Sequence, residues 1–490
     1  MIDFTSRETT PLSAGSGADY DWKTEERFVS HDGRASVSTV AFASPWRRSQ
    51  AFGVSTPAHT APPLVSAPSI PGRPPDPDPP TMTTSKERPP RTIAHREFIA
   101  MLAAITATMA LGIDMTLPAF TDIRAGFGLA ADSPRVALTV TLYFLGVASA
   151  MLFYGPFTDR FGRKPVLYTS MSLYALGALG SALAPTFGVL IVSRFIWGMG
   201  AAGPRSLALA IGRDLYRGDH LARILAVVAS VFMVVPAFAP LLGQAVLNFG
   251  SWRWVMAAPA AGVLMLAVWL IRLPESLPPD KRRPLTFNRT RHAIAAVFTN
   301  RVTTRSALAI MFDYGSFTAF LGSIQLIFDD VYGRGDQFAF YFAGMSLCMG
   351  AVIYAGSRVV KRVGSDRVIV VALSSAVTLS TAVALWSWQA GGRPAFVTWF
   401  VLITVINGLR TLVTPLIQAQ AMEPMGELAG TAAAVIGTVS LGGGAVLASF
   451  VDRAIAGSVT PLVVSYAGYG VIGLAFALWA RRHRTVPIGR

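Results

Sequence analysis

The sequence predicts an all-α membrane protein: twelve transmembrane helices in two six-helix, pseudo-symmetric halves. Three observations carry that reading. The chain is 52% hydrophobic and only 14% charged, where soluble domains carry about 25% charged residues. Its apolar runs repeatedly exceed the roughly 18 residues needed to cross hydrocarbon, without the alternation a barrel strand requires. The longest connection inside the apolar region, 274–305, divides it six and six.

The elements follow in order. Residues 1–96 are rich in Pro, Ser, Thr and Ala, with 71–80 mostly proline, and hold no apolar period long enough to bury a core. This stretch is expected to be a disordered cytoplasmic tail. It has no apolar core of a secretory signal. Met82 precedes a short basic stretch, so the true start is either Met1 or close to Met82. Twelve spans are expected at 98–120, 136–157, 166–184, 187–211, 224–247, 254–271, 306–328, 338–359, 368–388, 395–417, 429–451 and 462–480. The domains are then 97–273 (the first bundle), 274–305 (a cytoplasmic loop), 306–481 (the second bundle) and 482–490 (a cytoplasmic tail).

Charge sets the orientation. The connections at 159–164, 213–223, 274–305 and 358–367 and the tail after 480 are basic, and they alternate with weakly charged or mixed ones. Lys/Arg-rich loops stay in the cytoplasm, so both termini are expected there. The acidic connection around Glu423 and Glu427 is an exception of little weight, because acidic residues scarcely affect topology. The same distribution explains the net charge of +15 without nucleic acid. The halves repeat faintly: Phe161-Gly-Arg-Lys-Pro-Val166 has a counterpart in Val363-Gly-Ser-Asp-Arg-Val368. Parallel repeats of this kind occur in transporters.

Several chemistries are excluded. The single cysteine, Cys348, rules out a disulfide or multi-thiolate metal site within the chain, and no paired-histidine spacing occurs, so no metal is expected. No phosphate-binding Gly-x-x-x-x-Gly-Lys-Ser/Thr motif is present. Gly198-Met-Gly-Ala-Ala-Gly203 matches a dinucleotide pattern but lies inside an apolar helix rather than after a strand, so close helix packing is the better reading.

Ionisable residues inside spans cost about 2.5–3.5 kcal/mol each on insertion scales and point to function. Asp114 and Arg194 fall at similar depths in spans 1 and 4, which lets them face each other. Asp114 is the candidate to take and release a proton, with Arg194 tuning it; the competing reading is a static ion pair. Arg205 lies eleven residues after Arg194 and shares its helix face, making a positive stripe along one cavity wall. Asp313 in span 7 is a second proton-coupling candidate, with Arg410 in span 10 as its candidate partner; the competing reading is that Asp313 is a solvated helix-end residue. Tyr143, Tyr154, Trp197, Phe312, Tyr314 and Phe317 are candidates to line a cavity for an amphipathic substrate.

The stretch from Gly155 through Asp159, Arg160, Gly162, Arg163 and Lys164 resembles the loop between helices 2 and 3 of the major facilitator superfamily. Asp114-Met-Thr-Leu-Pro118, Arg194-Phe-Ile-Trp-Gly-Met-Gly200 and Pro236-Ala-Phe-Ala239-Pro240-Leu-Leu-Gly243 resemble the Bcr/CflA-type drug exporters of that superfamily. The resemblance implies a major facilitator fold and export by alternating access, as protons enter, of bicyclomycin- or chloramphenicol-like drugs. It further implies that the Asp159 loop latches helix ends, that Arg194 supports coupling, and that Pro236, Ala239, Pro240 and Gly243 form the antiporter motif. Thr116 stands where the family has Tyr, and Ala239 where it has Gly. The expected partners are a small substrate, protons and lipid, with no nucleic acid and no cofactor beyond the proton gradient. The expected setting is the bacterial inner membrane, as a monomer and not as an enzyme. Metabolite export, proton symport, or a sensor on a transporter fold are the alternatives.

Overall fold

The computed structural model describes residues 93–482, apart from 131, 283, 285, 286 and 456, together with residues 28–29 and 35–36. The chain divides into two units, Met1–Ser85 and Lys86–Arg490. In the first, Phe28–Val29 and Ala35–Ser36 pair as antiparallel strands. Residues 93–96 of the stretch expected to lack a core are described as well, and a helix already begins at His95; the remainder of that stretch, and the basic tail beyond 482, lie outside the described residues.

In the second unit, twelve long helices follow one another among the described residues. They are α1 (His95–Asp114), α2 (Leu138–Phe161), α3 (Arg163–Ala182), α4 (Phe187–Leu215), α5 (Gly218–Phe249) and α6 (Trp252–Trp269), then α7 (Arg301–Leu326), α8 (Phe338–Val363), α9 (Ser365–Gln389), α10 (Phe396–Met422), α11 (Ala429–Ala454) and α12 (Thr460–Arg481). At about 1.5 Å per residue, even an 18-residue helix reaches about 27 Å, close to the hydrocarbon thickness. Over their described residues, ten of the twelve are long and apolar enough to span by that measure. Of the other two, α3 is diluted by hydroxyl and glycine residues, and α5 is a 32-residue helix whose sequence carries the uncharged apolar run 224–241. Large apolar side chains such as Leu176, Met265, Phe340, Val371 and Trp388 are exposed, as lipid contact requires.

The connection expected as a loop at 274–305 holds a helix, Phe287–Thr299, and α7 begins at Arg301. The helix forms because Ala293 and Val297, four residues apart, share a face and are buried. Within the first half, α1 packs on α4 and α5, α2 on α4, and α3 on α4 and α6. The second half repeats each pairing six helices later: α7 on α10 and α11, α8 on α10, and α9 on α10 and α12. The sequence repeat has a backbone counterpart. Gly162 (φ 98°, ψ 163°) and Gly364 (φ 87°, ψ 151°) each make the one-residue joint between two helices. Only glycine takes that conformation without strain.

The halves meet along α2 with α11 and α5 with α8. At the end opposite the Asp159 loop they are also bonded. Arg124, on the short helix Phe120–Gly126 after α1, makes two 2.8 Å hydrogen bonds to Asp330, just after α7. Thr121 donates to Asp329 at 2.6 Å and accepts from Gln325 at 3.1 Å. Thr141 on α2 donates to Asp452 on α11 at 3.3 Å. Farther along the same seam, Thr438 donates to the Ala148 carbonyl at 3.0 Å.

Candidate functional site

The site is built on a break in α1. Pro118 has no N–H to offer the Asp114 carbonyl four residues back, and the helix stops there. The Thr116 N–H turns to the Ile113 carbonyl at 3.1 Å. This leaves the Gly112 carbonyl without its usual helical partner. Arg194, from α4, supplies one: Nη1 donates to the Gly112 carbonyl at 2.9 Å, and Nη2 donates to Thr116 Oγ1. Thr116 in turn donates to the Ile113 carbonyl at 2.7 Å. One guanidinium therefore closes the end of a broken helix.

Arg194 is 1% exposed. It makes no ion pair among the described residues, so carbonyl, hydroxyl and ring faces balance its charge. Its guanidinium carbon lies 4.7 Å from the Trp197 ring centroid and 5.9 Å from that of Tyr143, which favours a planar cation. Tyr143 and Tyr174 are each bonded to α1, donating to the Met109 carbonyl at 3.1 Å and the Thr108 carbonyl at 2.8 Å. The substrate-lining candidates Tyr143 and Trp197 are thus fully buried and brace Arg194 between α1, α2 and α4.

Asp114 is the last residue of α1 and is 6% exposed. No hydrogen bond or ion pair to its carboxylate is found among the described residues. The static Asp114–Arg194 pair weighed as the alternative does not form: the two side chains flank the same break, with Arg194 engaged by Gly112 and Thr116. Arg205, on the same face of α4, is exposed, so the two arginines differ sharply in their surroundings.

The proline-rich stretch of α5 supports this break. α5 runs through Pro236 and Pro240 as one helix, with Ala239 and Gly243 buried. A Cβ on Gly243 would collide with the Met115 carbonyl. The missing side chain lets the α5 backbone sit directly on the residue after Asp114. Gly198 and Gly200 work likewise on α4, where a Cβ would strike the Tyr143 carbonyl or the Tyr174 N–H. Close packing is therefore the role of the Gly-x-Gly-x-x-Gly pattern.

The Asp159 loop is held within the first half by its bonding. Arg163 binds Asp159 at 2.8 Å and Asp214 at 3.0 Å. The Glu275 carboxylate accepts from the N–H groups of Arg163 and Lys164 at 2.9 and 3.0 Å, capping the start of α3, where an anion is favoured. Lys164 Nζ donates to the Ile271 carbonyl at 2.8 Å. Gly155 continues α2, Gly162 turns the chain, and Arg160 is exposed.

The second half carries the expected Asp313–Arg410 pair, 2.7 Å apart, with Thr414 donating to the other carboxylate oxygen at 2.6 Å. It joins α7 to α10, as Arg194 joins α1 to α4, so the two arginines occupy equivalent helix pairs at different depths. Phe312 stacks on Phe476 with ring centroids 6.1 Å apart, and Phe317 is half-buried against the core. Sequence reasoning missed Thr116 and Glu275 as partners and Asp452 as a buried acid. Thr116 had a signal, being the one changed residue of its motif.

The profile of the family described as Major Facilitator Superfamily matches residues 102–449. The chain is 27% identical over 385 residues to a bicyclomycin resistance protein homolog of Haemophilus influenzae, covering 77% of this chain and 94% of that protein. It is 31% identical over 192 residues to multidrug resistance protein MdtL of Escherichia coli, covering 38% of this chain and 49% of that one. Among solved structures, a D-xylose-proton symporter superposes with a TM-score of 0.62 at 16% identity, covering 80% of this chain and 98% of that chain. The xylose transporter XylE from E. coli, in a partially occluded inward open conformation, gives 0.61 at 13% identity over 81% of this chain and 100% of that one. At such identities the structures speak for the fold alone. The family match runs from α1 into α11 and agrees with the paired halves and the Asp159 loop: the chain is a multi-pass membrane transporter belonging to the Major Facilitator Superfamily.

Proposed function

We propose that the chain exports small amphipathic drugs, of bicyclomycin or chloramphenicol type, in exchange for protons, with Asp114 as the proton site. The observation that carries the reading is a buried carboxylate without an ion pair, set at a helix break that both Arg194 and the α5 proline stretch support. An unpaired buried charge costs far more than a neutral acid, so taking or losing a proton changes the energy of this arrangement. Bicyclomycin and multidrug resistance are what the relatives' names say of them; the chloramphenicol type rests on the resemblance to Bcr/CflA-type exporters. Basic loops stay cytoplasmic, so the Asp159 loop and both termini face inward across a bacterial inner membrane, and the Arg124–Asp330 end faces out. One chain supplies both halves of the pathway, and no covalent step is assigned to it.

The test uses inverted membrane vesicles acidified inside by respiration, with a fluorescent probe of internal pH. Adding a transported drug should discharge the gradient in vesicles with the protein and leave control vesicles unchanged. Asp114→Asn should abolish the discharge while folded protein stays abundant. Undiminished discharge by Asp114→Asn would remove Asp114 from the coupling. Failure of every drug tested would remove drug export and leave metabolite transport or sensing.

A further inference from the structure

Asp452, in the last turn of α11, lies where both halves meet. It is 3% exposed, in a stretch that the charge pattern alone places in a connection. Its Oδ2 accepts from Thr141 of α2 at 3.3 Å, and its Oδ1 has no hydrogen-bond partner among the described residues. A Cβ on Gly322 of α7 would stand 3.1 Å from Oδ1 and 3.3 Å from the Ala137 Cβ, so three elements converge on this carboxyl. The charged and titratable groups of the elements that meet at this end are exposed or bonded elsewhere. Tyr469 of α12, within electrostatic reach, donates to the Leu447 carbonyl at 3.1 Å. Arg453, next to it on α11, is exposed. Arg135, before α2, is exposed and lies over the Phe187 ring. Arg124, Asp329 and Asp330 bond among themselves and to Thr121. Asp452 makes no ion pair among the described residues.

A buried carboxylate with one weak donor and no cation is strongly disfavoured in its charged form. The same group becomes an ordinary solvated acid once the halves part at this seam and water enters. We propose that Asp452 is a second proton-binding site, which holds a proton while the Arg124–Asp330 end is closed and yields it when that end opens. Closing then takes up one proton, so acid favours the closed seam and base favours the open one. For one linked proton the closed-to-open ratio falls by up to tenfold per pH unit. The proposal concerns this seam and stands independently of what the transporter carries.

The full-length protein in lipid nanodiscs tests it. With the exposed Cys348 replaced by serine, spin labels go on Asp132→Cys and Gln389→Cys, exposed positions on the two halves at this end. Distances are read by pulsed electron resonance from pH 5 to 8.5. The expected result is a short-distance population at low pH that gives way to a longer one as pH rises. Asp452→Asn, and Asp452→Ala as a second variant, should flatten that response. A distance distribution independent of pH in the parent protein would overturn the proposal. So would a response that survives unchanged in both variants.

Discussion

Replacing Arg194 by lysine separates charge from geometry. The arginine makes two charge-assisted hydrogen bonds, to the Gly112 carbonyl and Thr116, and lies over Trp197. Lysine keeps the charge but offers a single point of attachment and no planar face. One such hydrogen bond is worth about 1.5–3 kcal/mol and the ring contact about 0.5–2 kcal/mol. A net loss of about 2–3 kcal/mol, or about 30- to 150-fold in transport, is expected from Arg194→Lys. Vesicle transport and thermal melting of the purified protein both read it. Thr116→Val removes one of the same bonds, so the double variant should lose less than the sum of the singles. Lysine transporting within about threefold of the parent would show that only the charge matters, and would refute the argument that the guanidinium closes the α1 break.

Other outcomes follow from the joints and contacts. Gly162→Ala and Gly364→Ala each force a side chain into a conformation costing about 1–3 kcal/mol. Gly162→Ala should melt lower, because its Cβ also meets Glu275 and Arg282, whereas nothing stands within 4 Å at Gly364; equal melting points would contradict this. Gly243→Ala should push α5 off Met115 and cost about 1–3 kcal/mol of overpacking, read as a lower melting point and reduced transport. Ala239→Gly, which restores the residue the family resemblance leads one to expect, should leave transport nearly unchanged and lower stability by only about 0.5–1 kcal/mol, less than Gly243→Ala.

Sequence reasoning reached the helices, the division into halves and the Gly162/Gly364 joint because those depend on local properties. Apolar length decides what spans, and a joint with φ near 90° and extended ψ demands glycine wherever it occurs. The Asp313–Arg410 pair was legible for a related reason: opposite charges inside apolar helices seldom stay apart. Other features needed the assembled bundle. Arg205 and Arg194 share a helix face, yet one is exposed and the other buried, because burial depends on what packs against each turn. Arg194 was expected opposite Asp114, but the break in α1 frees a carbonyl that competes for it, and a freed backbone group leaves no mark in composition. Asp452 read as the start of a connection because it follows the last apolar run of its helix. Only the approach of Thr141 and Gly322 from other helices buries it, and Arg124 meets Asp330, 206 residues away, only once the halves are joined.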